Sequence, residues 1–180
     1  FNQPITLPNS LTHLTFGDNF NQPIILILPS SLTHLTFGDN FNQPITLPNS
    51  LTHLTFGNNF NQPIDLPNNL IYLVFGKNYN QSTILPKSLK DIFFGKRFNR
   101  RINLIDEETG KTFKNLEYIE FGNEYSSRLQ IGSIENEFKK VKVVLNHMHF
   151  DKIFSKKNWY DFKNYILVDT DYDANIVYYE

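Results

Sequence analysis

The sequence predicts a β-rich solenoid with about eight short parallel strands and few or no helices. One segment, FNQPI followed by LPNSLTHLTFG, recurs along the chain, at first almost letter for letter and then with growing drift. Its copies start at Phe1, Phe20, Phe41, Phe60, Tyr79, Phe98 and Tyr125. A period of about twenty residues is typical of a solenoid whose repeats each form one turn and stack on their neighbours. Turns this short leave no room for a helix between strands.

The first four repeats contain the apolar pattern Leu-x-x-Leu-x-Phe-x-x-Asn, which predicts one short strand around its central Leu. The fifth and sixth repeats keep the apolar set but have Arg97 and Glu124 at the Asn position. Successive side chains of a strand point to opposite faces, so Leu14 and Phe16 face the interior while His13 and Thr15 face outward. The expected strands are centred on Leu14, Leu35, Leu54, Leu73, Ile92, Ile119, Val141 and Tyr165.

Glycine and proline recur at fixed positions around each strand. A glycine follows the strand Phe, where the chain needs a positive φ or a close backbone approach. These residues are Gly17, Gly38, Gly57, Gly76, Gly95 and Gly122. A proline precedes the strand, where it fixes φ and no ladder donor is required. These residues are Pro8, Pro29, Pro48, Pro67 and Pro86.

An aromatic residue and an asparagine form two further columns. The aromatic side chains are expected to stack as an internal spine. They are Phe20, Phe41, Phe60, Tyr79 and Phe98. Stacked asparagines can satisfy the backbone of adjacent turns. They are Asn2, Asn21, Asn42, Asn61, Asn80 and Asn99. All these columns are interpreted as scaffold.

Two stretches interrupt the regular period. The 27-residue step from Ile92 to Ile119 contains the polar run DEETGK at residues 106–111, which predicts a surface loop. Residues 147–159 lack turn signals, and a helix around Asp151–Lys157 is expected to help close the end of the stack. We therefore expect about seven repeat turns over residues 1–146, and a degenerate last turn with a C-terminal cap over residues 147–180. Because the chain opens in mid-motif, we expect it to be a piece of a longer protein.

Composition excludes several classes of protein. The chain has no cysteine, so it has neither disulfides nor a cysteine-based zinc site. No apolar run approaches the ~20 residues that span a bilayer. Residues 1–76 contain only Asp18, Asp39 and Asp65 as charged groups, and neither half has the dense basic face that nucleic-acid binding requires. We expect no nucleic-acid partner, no membrane association and an intracellular, cytoplasmic location (the host cytoplasm if the protein is viral).

Several polar clusters invite a chemical interpretation. The outward residues His13, His34 and His53 should lie about 5 Å apart on successive strands, and three imidazoles could bind a metal ion. A flat stack, however, holds the rings parallel, whereas a metal needs nitrogens that converge. If the histidines form a row, their mutual repulsion should resist charging all three. The alternative is a copied column of surface histidines.

Other clusters are weaker still. Threonine columns suggest an ice-binding solenoid as a remote alternative, although they last only three turns. They are Thr12, Thr33, Thr52 and Thr15, Thr36, Thr55. The pair His147 and His149 lacks further ligands, and Asp106, Glu107 and Glu108 lack a calcium-loop spacing. No phosphate loop, nucleophile elbow or reactive cysteine occurs, so we expect neither an enzyme nor a cofactor.

The outward face of the sheet is the stronger candidate for function. It changes from uniform His and Thr to varied aromatic and charged residues, a mixture typical of partner binding. The candidate binding residues are Tyr72, Val74, Asp91, Phe93, Tyr118 and Glu120. Tyr72, Phe93 and Tyr118 are expected near the centre of the interface. The alternative is that these rings only pack against neighbouring turns.

The motif FNQPI followed by LPNSLTHLTFG resembles the FNIP repeat, a family related to leucine-rich repeats. The motif's Ile is replaced by Gln3, Gln22, Gln43 and Gln62, and later turns lose the Pro, at Ser82 and Arg101. The resemblance implies a leucine-rich-repeat-like fold and a protein-interaction domain, a type often found with an upstream F-box. It thereby implies that the chain is the substrate-recognition part of an F-box-type ubiquitin ligase adaptor. A region upstream of the chain would link it to the ligase scaffold. The alternative is a structural spacer with no specific partner.

Overall fold

The computed structural model describes residues 6–24, 27–127, 129–130, 141–145, 165–169 and 176–177. These residues contain strands and turns but no helix, and hence none that could cross a membrane. The expected helix around Asp151–Lys157 lies outside them. The strands are β1 (His13–Thr15), β2 (His34–Thr36), β3 (His53–Thr55), β4 (Tyr72–Val74), β5 (Asp91–Phe93), β6 (Ile102–Asn103), β7 (Ile105–Asp106), β8 (Lys111–Thr112), β9 (Tyr118–Glu120), β10 (Leu129–Gln130), β11 (Val141–Leu145), β12 (Tyr165–Asp169) and β13 (Ile176–Val177).

One sheet runs the length of the stack, in the order β1-β2-β3-β4-β5-β9-β11-β12-β13. Its first eight strands are parallel, which confirms the predicted solenoid, and β13 adds an antiparallel edge. Equivalent residues of successive repeats lie opposite one another, as His13 lies opposite His34. In each three-residue strand between β2 and β9 the central side chain is buried and its two neighbours are only partly covered.

The predicted centres of the last two strands were wrong by two residues. Ile119 lies opposite Val143, and Val143 lies opposite Leu167, so these residues, not Val141 and Tyr165, continue the central column. A slip of two residues keeps every side chain on its face of the sheet, so the apolar pattern alone cannot detect it. Val141 and Val143 are indeed both fully buried.

Two β-turns shape each repeat. In the first, the carbonyl of the column proline accepts a hydrogen bond from the N–H of the Leu three residues later, at 3.0 Å between Pro8 and Leu11. Phe113 takes the proline's place in the sixth turn, where the bond to Leu116 is 3.1 Å. In the second turn, the glycine carbonyl accepts from the N–H of the spine aromatic. The proline therefore contributes its fixed φ and its carbonyl, and its missing N–H costs the ladder nothing.

The interior contains two interleaved ladders of aromatic rings. In the predicted spine, the rings from Phe20 to Tyr125 stack with centroids 6.0–6.1 Å apart. The strand-end rings from Phe16 to Phe121 stack at 5.1–5.8 Å. On the outward face, stacked histidines are only 4.1 Å apart. Spacing between equivalent rings therefore grows from the sheet face toward the spine, so the stack curves with the sheet face on its concave side.

The glycine column is explained by close approach, not by a positive φ. Among the described glycines only Gly110, in a hairpin turn, has a positive φ, of 67°. A Cβ on Gly76 would overlap the carbonyl group of Gly57 in the preceding turn, and a Cβ on Gly95 would overlap that of Gly76. Backbones therefore meet at this bend with no space for a side chain.

A ladder of asparagines joins the turns on the side of the spine. The Oδ1 atom of Asn42 accepts the N–H of Asn61 at 2.9 Å, and Oδ1 of Asn61 accepts that of Asn80 at 2.9 Å. The Nε2 group of Gln62 donates to the carbonyl of Asn42 at 3.2 Å. This contact gives the glutamine that replaces the motif's Ile a structural role. Asn2 lies outside the described residues.

The 27-residue step forms more than the expected loop. Strands β7 and β8 pair antiparallel as a hairpin over the run DEETGK, and β6 pairs with β10 in a small second sheet. The Nζ group of Lys87 in the preceding turn bonds the carboxylate of Asp106 at 2.8 Å. The insertion is therefore tied to the stack as well as exposed.

Replacing Gly76 by Ala should lower the free energy of unfolding by about 1–3 kcal/mol or more, because the new methyl group overlaps backbone that cannot move independently. Gly17→Ala is the matched control, since among the described residues no atom beyond its two chain neighbours lies within 4 Å of the Cβ position there. Its stability should change by no more than about 0.5 kcal/mol. Chemical denaturation measures both, and equal effects in the two variants would contradict the close-approach explanation.

Replacing Asn61 by Ala should cost about 1–3 kcal/mol of stability, because the N–H of Asn80 loses its acceptor inside the stack. Asn68→Ala is the control: the Asn68 side chain is exposed and makes no hydrogen bond within the described part of the chain. Thermal denaturation compares the two variants. A loss as large in Asn68→Ala as in Asn61→Ala would show that the ladder is not the cause.

Candidate functional site

The concave face of the sheet consists of two outward columns, one on each side of the buried central residue. In-register pairing builds the first from His13, His34, His53, Tyr72, Asp91, Tyr118 and Lys142. It builds the second from Thr15, Thr36, Thr55, Val74, Phe93, Glu120 and Val144. All six candidate binding residues are thereby brought together on β4, β5 and β9, and all are partly buried. We call this group the varied patch: Tyr72, Val74, Asp91, Phe93, Tyr118 and Glu120.

The three histidines form a parallel stack. Their ring centroids are 4.1 Å apart, with interplanar angles of 12° and 9°. Metal coordination requires nitrogens within ~2 Å of one point. Parallel rings at this separation hold equivalent nitrogens side by side and do not converge. No group of three or more potential metal ligands occurs within the described ranges, and the pair His147 and His149 lies outside them.

Threonine hydroxyls lie within hydrogen-bond distance of the stacked histidine rings. The hydroxyl of Thr33 donates to the carbonyl of Thr12 at 3.1 Å and lies 2.9 Å from Nδ1 of His34. The tautomer of His34 decides which of the two groups donates at this second contact. Thr52 and His53 repeat the arrangement. The Thr33 and Thr52 hydroxyls are therefore used inside the stack, which weakens the ice-binding alternative for this column.

The middle histidine resists protonation. Partial burial is the main cause that lowers the pKa of His34, and the neighbouring charges of His53 and His13 lower it further. The repulsion from His53 and His13 is the effect that the sequence predicts for a row of histidines. The imidazolium form is disfavoured because it would lie between two rings of the same kind.

Beyond His53 the row of rings continues but ceases to be parallel. The His53 and Tyr72 rings are 5.7 Å apart at 26°. Tyr72 and Phe93 are 5.6 Å apart at 49°, and Phe93 and Tyr118 are 5.0 Å apart at 32°. The rings do contact their neighbours, as the packing alternative proposed, but each keeps part of its surface exposed. The varied patch thus differs from the histidine stack in geometry as well as in chemistry.

Two carboxylates, those of Asp91 and Glu120, lie on the strands that carry these rings, and only Glu120 is hydrogen-bonded to one of them. The hydroxyl of Tyr118 donates to Oε2 of Glu120 at 2.7 Å. Burial is the main cause that raises the pKa of Tyr118, and the hydrogen bond to Glu120 is the second. Partial burial also raises the pKa of Asp91, against the opposite effect of Lys90. The hairpin carboxylate behaves otherwise, because the bond from Lys87 lowers the pKa of Asp106. That bond makes Asp106 part of the hairpin's own structure.

Sequence reasoning missed Lys142 on this face of the sheet. Lys142 lies opposite Tyr118, with Nζ 5.4 Å from the centre of the tyrosine ring. The two-residue slip in β11 hid it, because the predicted alignment put Val141 and not Val143 in the central column. Pairing Val143 with Ile119 would have placed Lys142 in the histidine column.

A groove on another side of the stack was also not predicted. It lies between two successive repeats, has a volume of about 760 Å³ and is lined by residues 63–66, 68 and 82–88. Ile84 lies on its rim with 91% of its surface exposed. Its lining includes Ser82, where the repeat loses the proline of the FNQPI motif.

Comparison with known proteins identifies a repeat family and a similar solved structure. The family model of the FNIP Repeat matches residues 1–40, 25–59, 41–78 and 60–97, together more than half of the chain. A solved structure titled "The crystal structure of CroV588 a novel circular LRR protein structure" is 35% identical, with a TM-score of 0.63. The match covers 99% of this chain but only 29% of that one. No curated protein matched the sequence.

The stacked histidines make stability depend on pH. The folded state holds His34 below its ordinary pKa, so the unfolded chain binds more protons in the window just below pH 6.5. The free energy of unfolding should therefore fall as the pH drops through that window. In His34→Gln the fall should be smaller. Thermal denaturation at pH 7.5 and 5.5 measures both proteins.

A proton NMR titration provides the direct check. The titration midpoint of the His34 ring should lie below 6.5, and replacing both His13 and His53 by Gln should raise it. The rise should be incomplete, because burial remains as the largest cause. A midpoint at or above 6.5 in the unchanged protein would contradict the interpretation.

Proposed function

The chain belongs to the FNIP repeat family, and from that premise we propose that it is a recognition module that holds a protein partner on the varied patch of its concave face. The repeat family and the leucine-rich-repeat-like fold indicate a protein-interaction repeat module in general terms. The proposal adds the location of the binding site and the residues that form it.

The observation that supports this location is that the outward residues stop repeating partway along the face. Interior positions keep their residue type throughout the stack, as the central column of Leu, Ile and Val shows. Outward positions repeat His and Thr three times and then change at every turn. Stacking does not require this change, because these side chains point away from the interior. Tyr and Phe that keep part of their surface exposed are residue types enriched at protein interfaces.

We further propose that this module is the substrate-recognition part of an F-box-type ubiquitin ligase adaptor. The support is the common occurrence of FNIP repeats with an upstream F-box, an argument from family resemblance. The proposal requires an F-box in the residues that precede Phe1 in the whole protein. It also requires that the whole protein co-purify with the ligase scaffold, whereas residues 1–180 alone do not. We assign the chain no catalytic role.

Replacing Tyr72, Phe93 and Tyr118 together by Ala should abolish capture of a partner, because the three rings are the aromatic anchors of the patch. Loss of even one such anchor costs about 2 kcal/mol or more at a typical interface. The measurement is quantitative mass spectrometry of proteins retained by the immobilised chain from the organism's own extract.

The matched control is the triple variant Thr15→Ala, Thr36→Ala and Thr55→Ala. It also truncates three outward side chains on three neighbouring strands of the same face, but at the uniform end of the stack. Both variants should keep the circular dichroism spectrum of the unchanged protein. Retention of the same partners by the aromatic variant would overturn the proposed site and favour the structural-spacer alternative.

A further inference from the structure

The varied patch contains one carboxylate surrounded by aromatic residues. In-register pairing places Asp91 directly opposite Tyr72 on one side and Tyr118 on the other. Neighbouring strands are about 4.8 Å apart, so both tyrosines are immediate neighbours of Asp91 across the sheet. Phe93 lies two residues along the same strand and therefore projects from the same face. Aromatic residues flank Asp91 in three directions.

The carboxylate of Asp91 has no hydrogen-bond or ion-pair partner among the described residues. The nearest cation in sequence, Lys90, instead pairs with Glu117 at 3.1 Å. The charged and titratable groups that act on Asp91 are Lys90, Glu117 and His53. A partly buried charge beside apolar rings is costly unless a cation reaches it.

The rings around Asp91 can accept a cation on their faces. Tyr72, Phe93 and Tyr118 are tilted by 49° and 32° to one another and so do not lie flat against one another as the histidine rings do, and each keeps part of its surface exposed. Lys142 already places its Nζ 5.4 Å from the centre of the Tyr118 ring, a cation–π contact within the chain itself. The neighbouring carboxylate, Glu120, is engaged by the Tyr118 hydroxyl. Asp91 is therefore the carboxylate left for a ligand.

We propose that Asp91, with Tyr72, Phe93 and Tyr118, forms a subsite that binds an arginine side chain of the protein partner. This inference rests on the proposed function and names the chemistry that the partner must present. A guanidinium group is planar, stacks on aromatic faces and donates two parallel hydrogen bonds to a carboxylate. The subsite offers a carboxylate and aromatic faces within one strand spacing. An ammonium group would gain the charge interaction but neither the stacking nor the paired hydrogen bonds.

The first experiment uses small probes and the chain of 180 residues. The probe is the capped tripeptide acetyl-Gly-Arg-Gly-amide, and its neutral match is acetyl-Gly-citrulline-Gly-amide, which keeps the shape but not the charge. NMR titration of the aromatic ring protons measures both affinities. The arginine peptide should bind at least about tenfold more tightly than the citrulline peptide, as expected for a hydrogen-bonded charge. Binding of the two peptides with equal affinity, or of neither, would overturn the proposal.

The second experiment removes the charge from the protein. Asp91→Asn keeps the size of the side chain and should weaken binding of the arginine peptide at least about tenfold. Asp65→Asn is the matched control, since Asp65 is exposed and lies outside the strands of the sheet. Circular dichroism should be unchanged in both variants. Unchanged affinity in Asp91→Asn would overturn the subsite.

Partner capture then separates this inference from the proposed function. If the triple aromatic variant loses the partner and Asp91→Asn retains it fully, the arginine subsite is wrong while the recognition face stands. If both variants retain the partner, the recognition face is wrong as well. The expected result is loss of the partner in the aromatic variant and at least about tenfold weaker capture in Asp91→Asn.

Discussion

The structure depends on one spacing: parallel, in-register strands hold successive turns about 4.8 Å apart. At the bend after each strand, a Cβ atom would overlap the backbone of the preceding turn, so this position has no space for a side chain. It is occupied by Gly38, Gly57, Gly76, Gly95 and Gly122. The same spacing puts each side chain directly against its copy in the next turn. A residue type therefore persists in the repeat only if it tolerates contact with itself. Aromatic rings stack, asparagine amides bond to the next backbone, and serine hydroxyls donate to a carbonyl of the preceding turn, as Ser50 does to Leu32 at 2.6 Å.

Charge tolerates such self-contact poorly. A charged residue copied with the repeat builds a column of like charges at strand spacing. Residues 1–76 contain three charged groups, all Asp and all outside the strands, and the copied pair Asp18 and Asp39 gives way to Asn58 in the next turn. Some charges of the later turns are paired with opposite charges of a neighbouring turn, as in Lys90–Glu117 and Lys96–Glu124. The histidine stack is an intermediate case, because the lowered pKa of His34 disfavours a charge at its centre.

The contact of each residue with its own copy in the next turn also explains what the sequence could and could not predict. The strands β1 to β5 and β9, their inward residues and the Asn and aromatic ladders follow from a period that repeats many independent positions at once. The pairing of β11 does not, since Val141 and Val143 are both apolar and a two-residue slip preserves the faces. The hairpin of β7 and β8 and the sheet of β6 and β10 depend on contacts without a repeat to copy. The face of the varied patch was predictable, whereas the tilt of its rings and the cation above Tyr118 depend on side-chain contacts that no period encodes.

Translational symmetry finally decides where specific binding can occur on this face. The histidine and threonine turns present the same surface three times, so a partner bound there could shift by one turn and make the same contacts. Specificity is a difference in affinity between alternatives, and a surface that equals its own displaced copy provides none between registers. Asp91 is the only carboxylate in its column among the described turns, and it lies between two tyrosines that differ in their other neighbours. A partner that places a cation at Asp91 is fixed in register along the whole stack, so the break in the repeat supplies what the repeat itself cannot.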